Sequence, residues 1–424
     1  MTAVSKKTPL ESVPQAGKTA PHVTTSRQLE DVRYEIRGEL ARRARELERQ
    51  GFEVIHLNIG NPGRFGFRTP ETMRLAMIEN LGRSEAYCHQ KGIFPAREAV
   101  VMQQQQRGVA VDSAEHVFIG NGVSELIDLC LRALLNPGDE VLIPSPDYPL
   151  WTAAVVLNGG AAVHYPCPTE AGYAPDLEAI EAAITPKTRA LVVINPNNPT
   201  GAVYDRATLE GLAAIAERHG LVLFCDEIYD QVLYDGAAFV PMATLVNDTL
   251  CVTMSGLSKV YRACGYRVGW AVFTGRLAGA EEFMLAVEKL AALRLCANVP
   301  AQWAVQTALG GFQSVKDLTC EGGRLYESRQ VVIDAVAESE YLDLVTPMGA
   351  MYAFPSLRPE RFGDFDDDRF AHELLEQYHV LLVPGTSFNV TYENHFRITL
   401  LPDARVLRDV FQRIDALLSE RAIG

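Results

Sequence analysis

Lys259 lies in the stretch Ser255-Gly-Leu-Ser-Lys-Val-Tyr-Arg-Ala-Cys-Gly-Tyr-Arg-Val-Gly-Trp270, among small and hydroxylic residues, with Arg267 eight positions further on. A cramped, partly desolvated seat favours the neutral amine, the form of lysine that attacks a carbonyl, and a guanidinium close by suits a phosphate. A Schiff-base lysine beside a phosphate-binding cation is the chemistry of pyridoxal phosphate. By residue types alone the stretch also fits a polar loop before a strand. Upstream, the apolar run Leu221-Val-Leu-Phe-Cys225 ends at Asp226, and open α/β sheets place ligand-binding groups at such strand ends. A carboxylate there can keep a pyridine nitrogen protonated, so that the ring accepts electrons, while Tyr229 can hydrogen-bond the ring's phenolic oxygen. A helix cap and a packing aromatic are the plainer readings of these two residues.

The segments Asn195-Pro-Asn-Asn-Pro-Thr-Gly201, Cys225-Asp-Glu-Ile-Tyr229 and Ser255 to Gly269 together resemble the class I (fold-type I) aminotransferases, over a span from about Leu29 to about Leu418. Within that family the likeness points to the bacterial glutamate–pyruvate (alanine) aminotransferases. It runs through Tyr34-Glu-Ile-Arg37, Leu57-Asn-Ile-Gly-Asn-Pro62 and Pro146-Asp-Tyr-Pro-Leu-Trp-Thr152. The resemblance implies pyridoxal 5′-phosphate as cofactor, with Lys259 as its covalent anchor and general acid–base and Asp226 and Tyr229 as catalytic partners. It implies further cofactor contacts from Ser255 and Ser258, from Tyr148 stacked on the pyridine ring, and from Asn198 bonded to the ring oxygen. Gly60, Asn198 and Arg397 would bind the substrate, Arg397 through its carboxylate, where arginine offers two parallel N–H bonds that lysine cannot reproduce. Tyr87 would reach the cofactor phosphate across a homodimer.

The phosphate seat has a physical basis of its own. Gly120-Asn-Gly-Val-Ser-Glu125 opens a helix expected over Leu126 to Leu135, and free N–H groups at a helix start, with glycine allowing close approach, bind anions. Val123, Ser124 and Glu125 are therefore candidate phosphate contacts, with Arg267 available to neutralise the charge. Strand–helix turns of this composition are common, so the motif gains its weight from Arg267.

The supporting elements follow from periodicity. Runs at His116–Ile119, Asp139–Pro144, Ala190–Ile194, Leu221–Cys225, Thr249–Thr253 and Tyr266–Phe273 read as strands, alternating with helices at Leu150–Leu157 and Arg206–His219. Continuous apolar runs such as Ala190-Leu-Val-Val-Ile194 suit strands buried on both faces. The expected fold is α/β: a mostly parallel sheet of seven-stranded type covered by helices on both faces, plus a smaller α+β domain. Residues 1–27, rich in Thr, Pro, Ser and Lys, read as a disordered extension, 28–60 as an arm and part of the small domain, 61–309 as the large domain, and 310–424 as the small one. One helix is expected from Gln28 to Arg49 and a long helical region from about Ala278 to Leu309. In the C-terminal part, Gly349–Phe354, Val380–Val383 and His395–Thr399 read as strands and Asp366–Tyr378 as a helix.

Composition narrows the partners. With 39 Lys+Arg against 53 Asp+Glu the net charge is −14, the wrong sign for a nucleic-acid binder. The eight cysteines form no C-x-x-C pair, no apolar run approaches a membrane span, and the N-terminus lacks a signal-peptide core. These features point to free thiols in a reducing, cytoplasmic setting, with neither nucleic acid nor membrane as partner and no metal site. Amino acids and 2-oxo acids are the partners the resemblance implies.

Substrate choice is less legible. Asn61-Pro-Gly-Arg-Phe65, Ser255 in place of an expected Asn, and Phe388-Asn-Val-Thr-Tyr-Glu-Asn394 without an expected Trp and Pro pair all depart from the alanine-specific pattern. A glutamate side chain needs a second cation, for which Arg37, Arg64 and Arg294 are candidates. A transaminase for another amino acid, aromatic, branched or specialised, uses the same residues, as does a pyridoxal phosphate lyase, decarboxylase or oxidase on this fold. A ligand-sensing regulator would need a DNA-binding module, for which the polar N-terminal stretch is too short.

Overall fold

The computed structural model describes residues 23–422 except 33, 35 and 37. The expected extension, as far as residue 22, and Arg37 lie outside the described residues. After a short strand β1 (Ile55–His56), the central sheet is built from β2 (Val117–Gly120), β3 (Glu140–Ser145), β4 (Ala161–Pro166), β5 (Thr188–Ile194), β6 (Val222–Asp226), β7 (Leu250–Gly256) and β8 (Gly269–Gly275). The strand order is β2-β8-β7-β6-β5-β3-β4. β8 pairs antiparallel with both β2 and β7, and the remaining pairs are parallel.

Burial explains why these strands read so clearly. β2 and β7 are buried at every position, and β5 and β6 at nearly every one, so both faces are covered and both select apolar side chains. Two core clusters flank the sheet: one side collects Val117, Leu191, Leu223 and Cys251, the other Phe118, Ile143, Phe224 and Val252. The helix Arg206–His219 shows local rules acting in concert. The Asp205 carboxylate accepts the Thr208 N–H at its start, and Gly220, in the left-handed region at φ 63°, ends it.

A third core cluster joins Leu40, Ala44 and Leu47 to residues from the C-terminal part, among them Val332, Leu374, Phe396, Val410 and Ile414. There Phe396–Thr399 pairs antiparallel with Tyr352–Ala353 on one side and Val383–Pro384 on the other. β1 pairs parallel with Val380–Leu381, which carries the segment after residue 56 to the mouth of the sheet.

Several expectations change. The first helix is not continuous: a 3-10 turn covers Arg27–Asp31, and the α-helix runs Glu39–Arg49 from Gly38, whose ψ of −138° is not helical. The long helical region is two helices, Glu281–Leu293 and Val299–Gly310. They are separated where Leu295 takes a left-handed φ of 69° and Pro300 occupies the first turn of the second helix. β4 and the helix Leu177–Ala183 fall in a region read as a polar connection. β4 is the edge strand, mostly half-exposed, so its composition carries no buried-strand signal. Among the described residues no helix is long and apolar enough to cross a membrane.

Candidate active site

The carboxyl ends of β2, β5, β6 and β7 open onto one cavity of about 670 Å³. β8 runs the other way, so its first residue, Gly269, pairs with Gly120 at the end of β2 and with Gly256 at the end of β7. That reversal brings the β7–β8 connection, with Lys259 and Arg267, to the same edge as Asp226. Of the residues singled out above, Gly60, Val123, Ser124, Tyr148, Asn198, Asp226, Tyr229, Ser258, Lys259, Arg267 and Arg397 all line this cavity.

Lys259 Nζ donates to the Gly60 carbonyl at 2.7 Å and lies 6.0 Å from the centre of the Tyr229 ring. Asp226 is buried, and burial pushes its carboxyl up to about 6 against the opposing pull of the Trp151 and Ile228 N–H groups. Trp151 Nε1 donates to Oδ2 at 3.2 Å and the Ile228 amide to Oδ1 at 3.3 Å. A carboxylate held this way is poised for a cation, since a positive partner would reverse the burial penalty.

Arg397, on the same cavity wall, is 1% exposed. Its two terminal nitrogens donate to Asn198 Oδ1 at 2.9 Å and to the Asn58 carbonyl, and Nε has no partner. The guanidinium is held between the rings of Tyr352 and Phe388, 4.3 and 4.7 Å from their centres. An arginine fixed in its plane, with an unused donor in a buried setting, is built to receive a carboxylate.

The cavity wall also takes in the start of the helix Val123–Leu134. Gly122 sits at φ 86°, and a Cβ there would lie 2.3 Å from an Arg267 nitrogen, so glycine lets the guanidinium rest against the helix start. Gly269 plays the same part from β8, where a Cβ would lie 2.6 Å from the Val123 nitrogen. Arg267 is not on a strand as expected: it has a left-handed φ of 52° just before β8 and donates to the Cys264 and Asn121 carbonyls at 2.9 and 3.2 Å.

Three expected contacts sit elsewhere. Glu125 turns its carboxylate back to accept from the Asn121 amide at 2.7 Å and the Asn121 side chain at 2.9 Å. It also pairs with Arg294 Nε at 3.0 Å, so it braces the turn and does not line the cavity. Ser255 is buried inside β7 opposite Trp270, one register position short of the strand end. Tyr87 is 77% exposed and lies off the cavity wall of its own chain. Of the candidate second cations, Arg294 is committed to Glu125 and the Ile119 carbonyl, and Arg64 is exposed off the wall.

The model of the family described as aminotransferase class I and II matches residues 53–414. The chain belongs to this family. It is 48% identical over 380 residues to the glutamate-pyruvate aminotransferase AlaA of Escherichia coli K12, covering 90% of this chain and 94% of that relative. It is 46% identical over 394 residues to the alanine aminotransferase of Mycobacterium tuberculosis, covering 93% and 92%. Among solved structures, the crystal structure of an aminotransferase from Escherichia coli aligns with a TM-score of 0.93 at 46% identity, covering 95% of this chain and all of that one.

Class I aminotransferases work with pyridoxal 5′-phosphate, and the cavity suits that group on three counts. The helix-start amides of Val123 and Ser124 and the Arg267 guanidinium form an anion seat opened by two glycines. Lys259 provides the amine. Asp226 provides a buried carboxylate in want of a cation. Sequence reading passed over Tyr352, Trp151 and Tyr34, whose contacts are all long-range; Tyr34 Oη bonds Tyr148 Oη at 3.1 Å. The one available signal for Trp151 was its place in the Pro146–Thr152 motif.

Proposed function

We propose that this protein exchanges an amino group between alanine and 2-oxoglutarate, giving pyruvate and glutamate, and runs the reverse as well. The observation that carries the reading is a single cavity whose wall carries Lys259, the buried Asp226 carboxylate and the buried Arg397 guanidinium with an unpaired Nε donor. The names of the relatives above support alanine and glutamate as the pair. Among the described residues, the cationic side chains on the cavity wall are Lys259, Arg267 and Arg397. With Arg267 turned to the phosphate seat and Arg397 to the α-carboxylate, the described wall suits alanine, and the distal carboxylate of glutamate falls to Arg37, the candidate cation that lies outside the described residues.

Each residue then has a part. Val123, Ser124, Ser258 and Arg267 would hold the cofactor phosphate, Tyr148 one face of its ring, Asp226 its ring nitrogen, and Asn198 and Tyr229 its phenolic oxygen. Because Asn198 Oδ1 accepts from Arg397, its amide nitrogen is left to donate. When bound, the cofactor supplies an electron sink for the bonds of the substrate Cα. Arg397, with the Gly60 backbone beside it, binds and orients the α-carboxylate. Lys259 takes the proton from Cα and returns it on the far side of the transfer, serving as general base and then general acid.

The active unit we propose is a homodimer in the cytoplasm. Tyr87, Phe94, Leu293 and Leu295 expose large apolar side chains, and their segments are tied by the Gln90–Glu288 hydrogen bond of 2.7 Å. Exposed apolar surface of this kind calls for a partner, and a second copy would let Tyr87 reach a cavity other than its own. The eight free cysteines fit a reducing compartment.

The test is a half-reaction screen. Purified yellow protein is mixed with single amino acids while the visible absorbance is followed. Bleaching by alanine and by glutamate, reversed by pyruvate and by 2-oxoglutarate, is the expected result. Bleaching only by other amino acids would relocate the substrate, and none at all would remove the transaminase reading.

A further inference from the structure

Asp147 is fully buried where the carboxyl end of β3 meets the C-terminal part of the chain. Its Oδ2 accepts from Thr152 Oγ1 at 2.6 Å, and its Oδ1 accepts from Asn389 Nδ2 at 2.9 Å. Two further bonds run beside the second: the Asp147 amide donates to the Phe388 carbonyl at 3.1 Å, and Ser145 Oγ donates to the Asn389 carbonyl at 2.8 Å. These bonds form a seam between stretches far apart in sequence, and both stretches lead to the cavity. Tyr148 follows Asp147 on the wall, and Phe388 precedes Asn389 with its ring centre 4.7 Å from the Arg397 guanidinium.

The turn Gly385–Phe388 is held at its other end by the C-terminal part itself. The Gly385 amide donates to the His395 carbonyl at 2.8 Å, and Thr386 gives both its amide and its hydroxyl to the Asp367 carboxylate, each at 2.9 Å. Asn389 then leaves the turn in the left-handed region at φ 55°, a conformation that asparagine tolerates better than most residues. Phe388 therefore stands between one anchor made by its own part of the chain and one made across the seam. With the first anchor alone, residues 387–389 could swing about Thr386 and carry the ring off the guanidinium. An apolar residue in place of Asp147 would fill the space without fixing the direction of Asn389, because apolar contact has no preferred direction.

We propose that Asp147 is a positioning residue for substrate binding: it holds Asn389, and through it the Phe388 ring, so that the Arg397 guanidinium keeps the plane in which it receives the carboxylate. This rests on reading Arg397 as the partner of that carboxylate. Thr152 completes the arrangement. Its one proton goes to Asp147, so its oxygen accepts from His164 Nε2 at 2.9 Å. Asp147→Asn keeps an oxygen toward Asn389 and turns an amide toward Thr152, whose hydroxyl is then free to donate to the His164 ring. Asp147→Ala removes the bond to Asn389 altogether, so the two substitutions separate the hydrogen bond from the charge.

The experiment measures, in holoenzyme variants, the alanine concentration that half-bleaches the cofactor band, with cofactor affinity from equilibrium dialysis beside it. Asn389→Gly removes the side-chain amide, and glycine adopts φ 55° without strain. Asp147→Ala and Asn389→Gly should each raise the alanine concentration by roughly three- to tenfold, the range set by one hydrogen bond, and the double variant should do no worse than the more impaired single one. Asp147→Asn should recover most of the loss seen in Asp147→Ala. Cofactor affinity should hold in Asn389→Gly, and in a Phe388→Leu background, which lacks the ring, Asn389→Gly should add nothing. An unchanged alanine affinity in Asn389→Gly beside a weakened one in Arg397→Lys overturns the proposal. So does an Asn389→Gly effect that persists in full without the Phe388 ring, an equal loss of cofactor affinity, or an Asp147→Asn variant as impaired as Asp147→Ala. An unmoved alanine affinity in Arg397→Lys overturns the reading of Arg397 and the proposal with it.

Discussion

Replacing Arg397 by lysine keeps the charge and discards the geometry, which makes it a sharp test of how the substrate carboxylate is held. The wild-type guanidinium gives one nitrogen to Asn198 Oδ1 and another to the Asn58 carbonyl, keeps Nε unpaired, and is clamped between two aromatic rings. It can therefore meet a carboxylate through two parallel bonds without giving up its own supports. A single ammonium offers three donors, loses the planar fit between the rings, and cannot serve both internal acceptors and both carboxylate oxygens. Losing one charge-assisted bond to the substrate costs about 1.5–3 kcal/mol, or roughly 10- to 150-fold in apparent affinity. An acceptor left bare at Asn198 or Asn58 costs about 1–3 kcal/mol of folding stability. The two effects are read separately: the first from the concentration of alanine that half-bleaches the cofactor band, the second from thermal or denaturant unfolding. An apparent alanine affinity within twofold of wild type, whatever happens to stability, would refute the assignment of Arg397 to the carboxylate.

Other predictions follow from the same geometry. Lys259→Ala should abolish the half-reaction and the absorbance of the lysine-linked cofactor, and turnover at the wild-type rate would contradict its assignment. Gly122→Ala places a side chain at φ 86° and ψ 165°, at a strain of about 1–3 kcal/mol, and drives a Cβ into Arg267. Cofactor affinity measured by equilibrium dialysis should fall at least about tenfold with Lys259 intact, and an unchanged affinity would remove Gly122 from the phosphate seat. Asp147 concerns pH: fully buried between Thr152 and Asn389, its carboxyl is pushed by burial up to about 7. The folded chain holds this proton more tightly than the unfolded one, so the stability it contributes is present below about pH 4 and lost as pH rises through about 7. Asp147→Asn should flatten the stability profile of the cofactor-free protein across that window, and an identical slope in the variant would count against it.

What the sequence made legible, and what it hid, divides along a physical line. Ala190–Ile194 and Leu221–Cys225 could be read because strands covered on both faces admit little but apolar residues. Asp226 and Lys259 could be read because each sits just past such a strand, among residues whose types already suit the chemistry. Glu125 reads like Val123 and Ser124 because all three stand at a helix start, whereas only the fold shows that its amide turns to the Gly122 carbonyl at 3.3 Å and its carboxylate to Asn121 and Arg294. Tyr352 and Trp151 stayed hidden because their partners are far along the chain, and an aromatic in an alternating strand or a helix looks like packing until those partners are known. β4 was hidden by the opposite circumstance, since an edge strand is too exposed to declare itself.

The reversed direction of β8 has a consequence for how the molecule assembles. Lys259 and Arg267 belong to one short hairpin stapled at Gly256 and Gly269, whereas Asn198 and Arg397 meet only when segments 199 residues apart come together. Closing a short loop costs far less chain entropy than closing a long one, and non-local pairings govern the pace of folding. The covalent anchor and the phosphate cation are thus a local unit set by the chain's own turn, and the carboxylate clamp is a long-range product of the finished fold. Partial loosening of the C-terminal strands should therefore cost the protein its grip on substrate before its grip on cofactor.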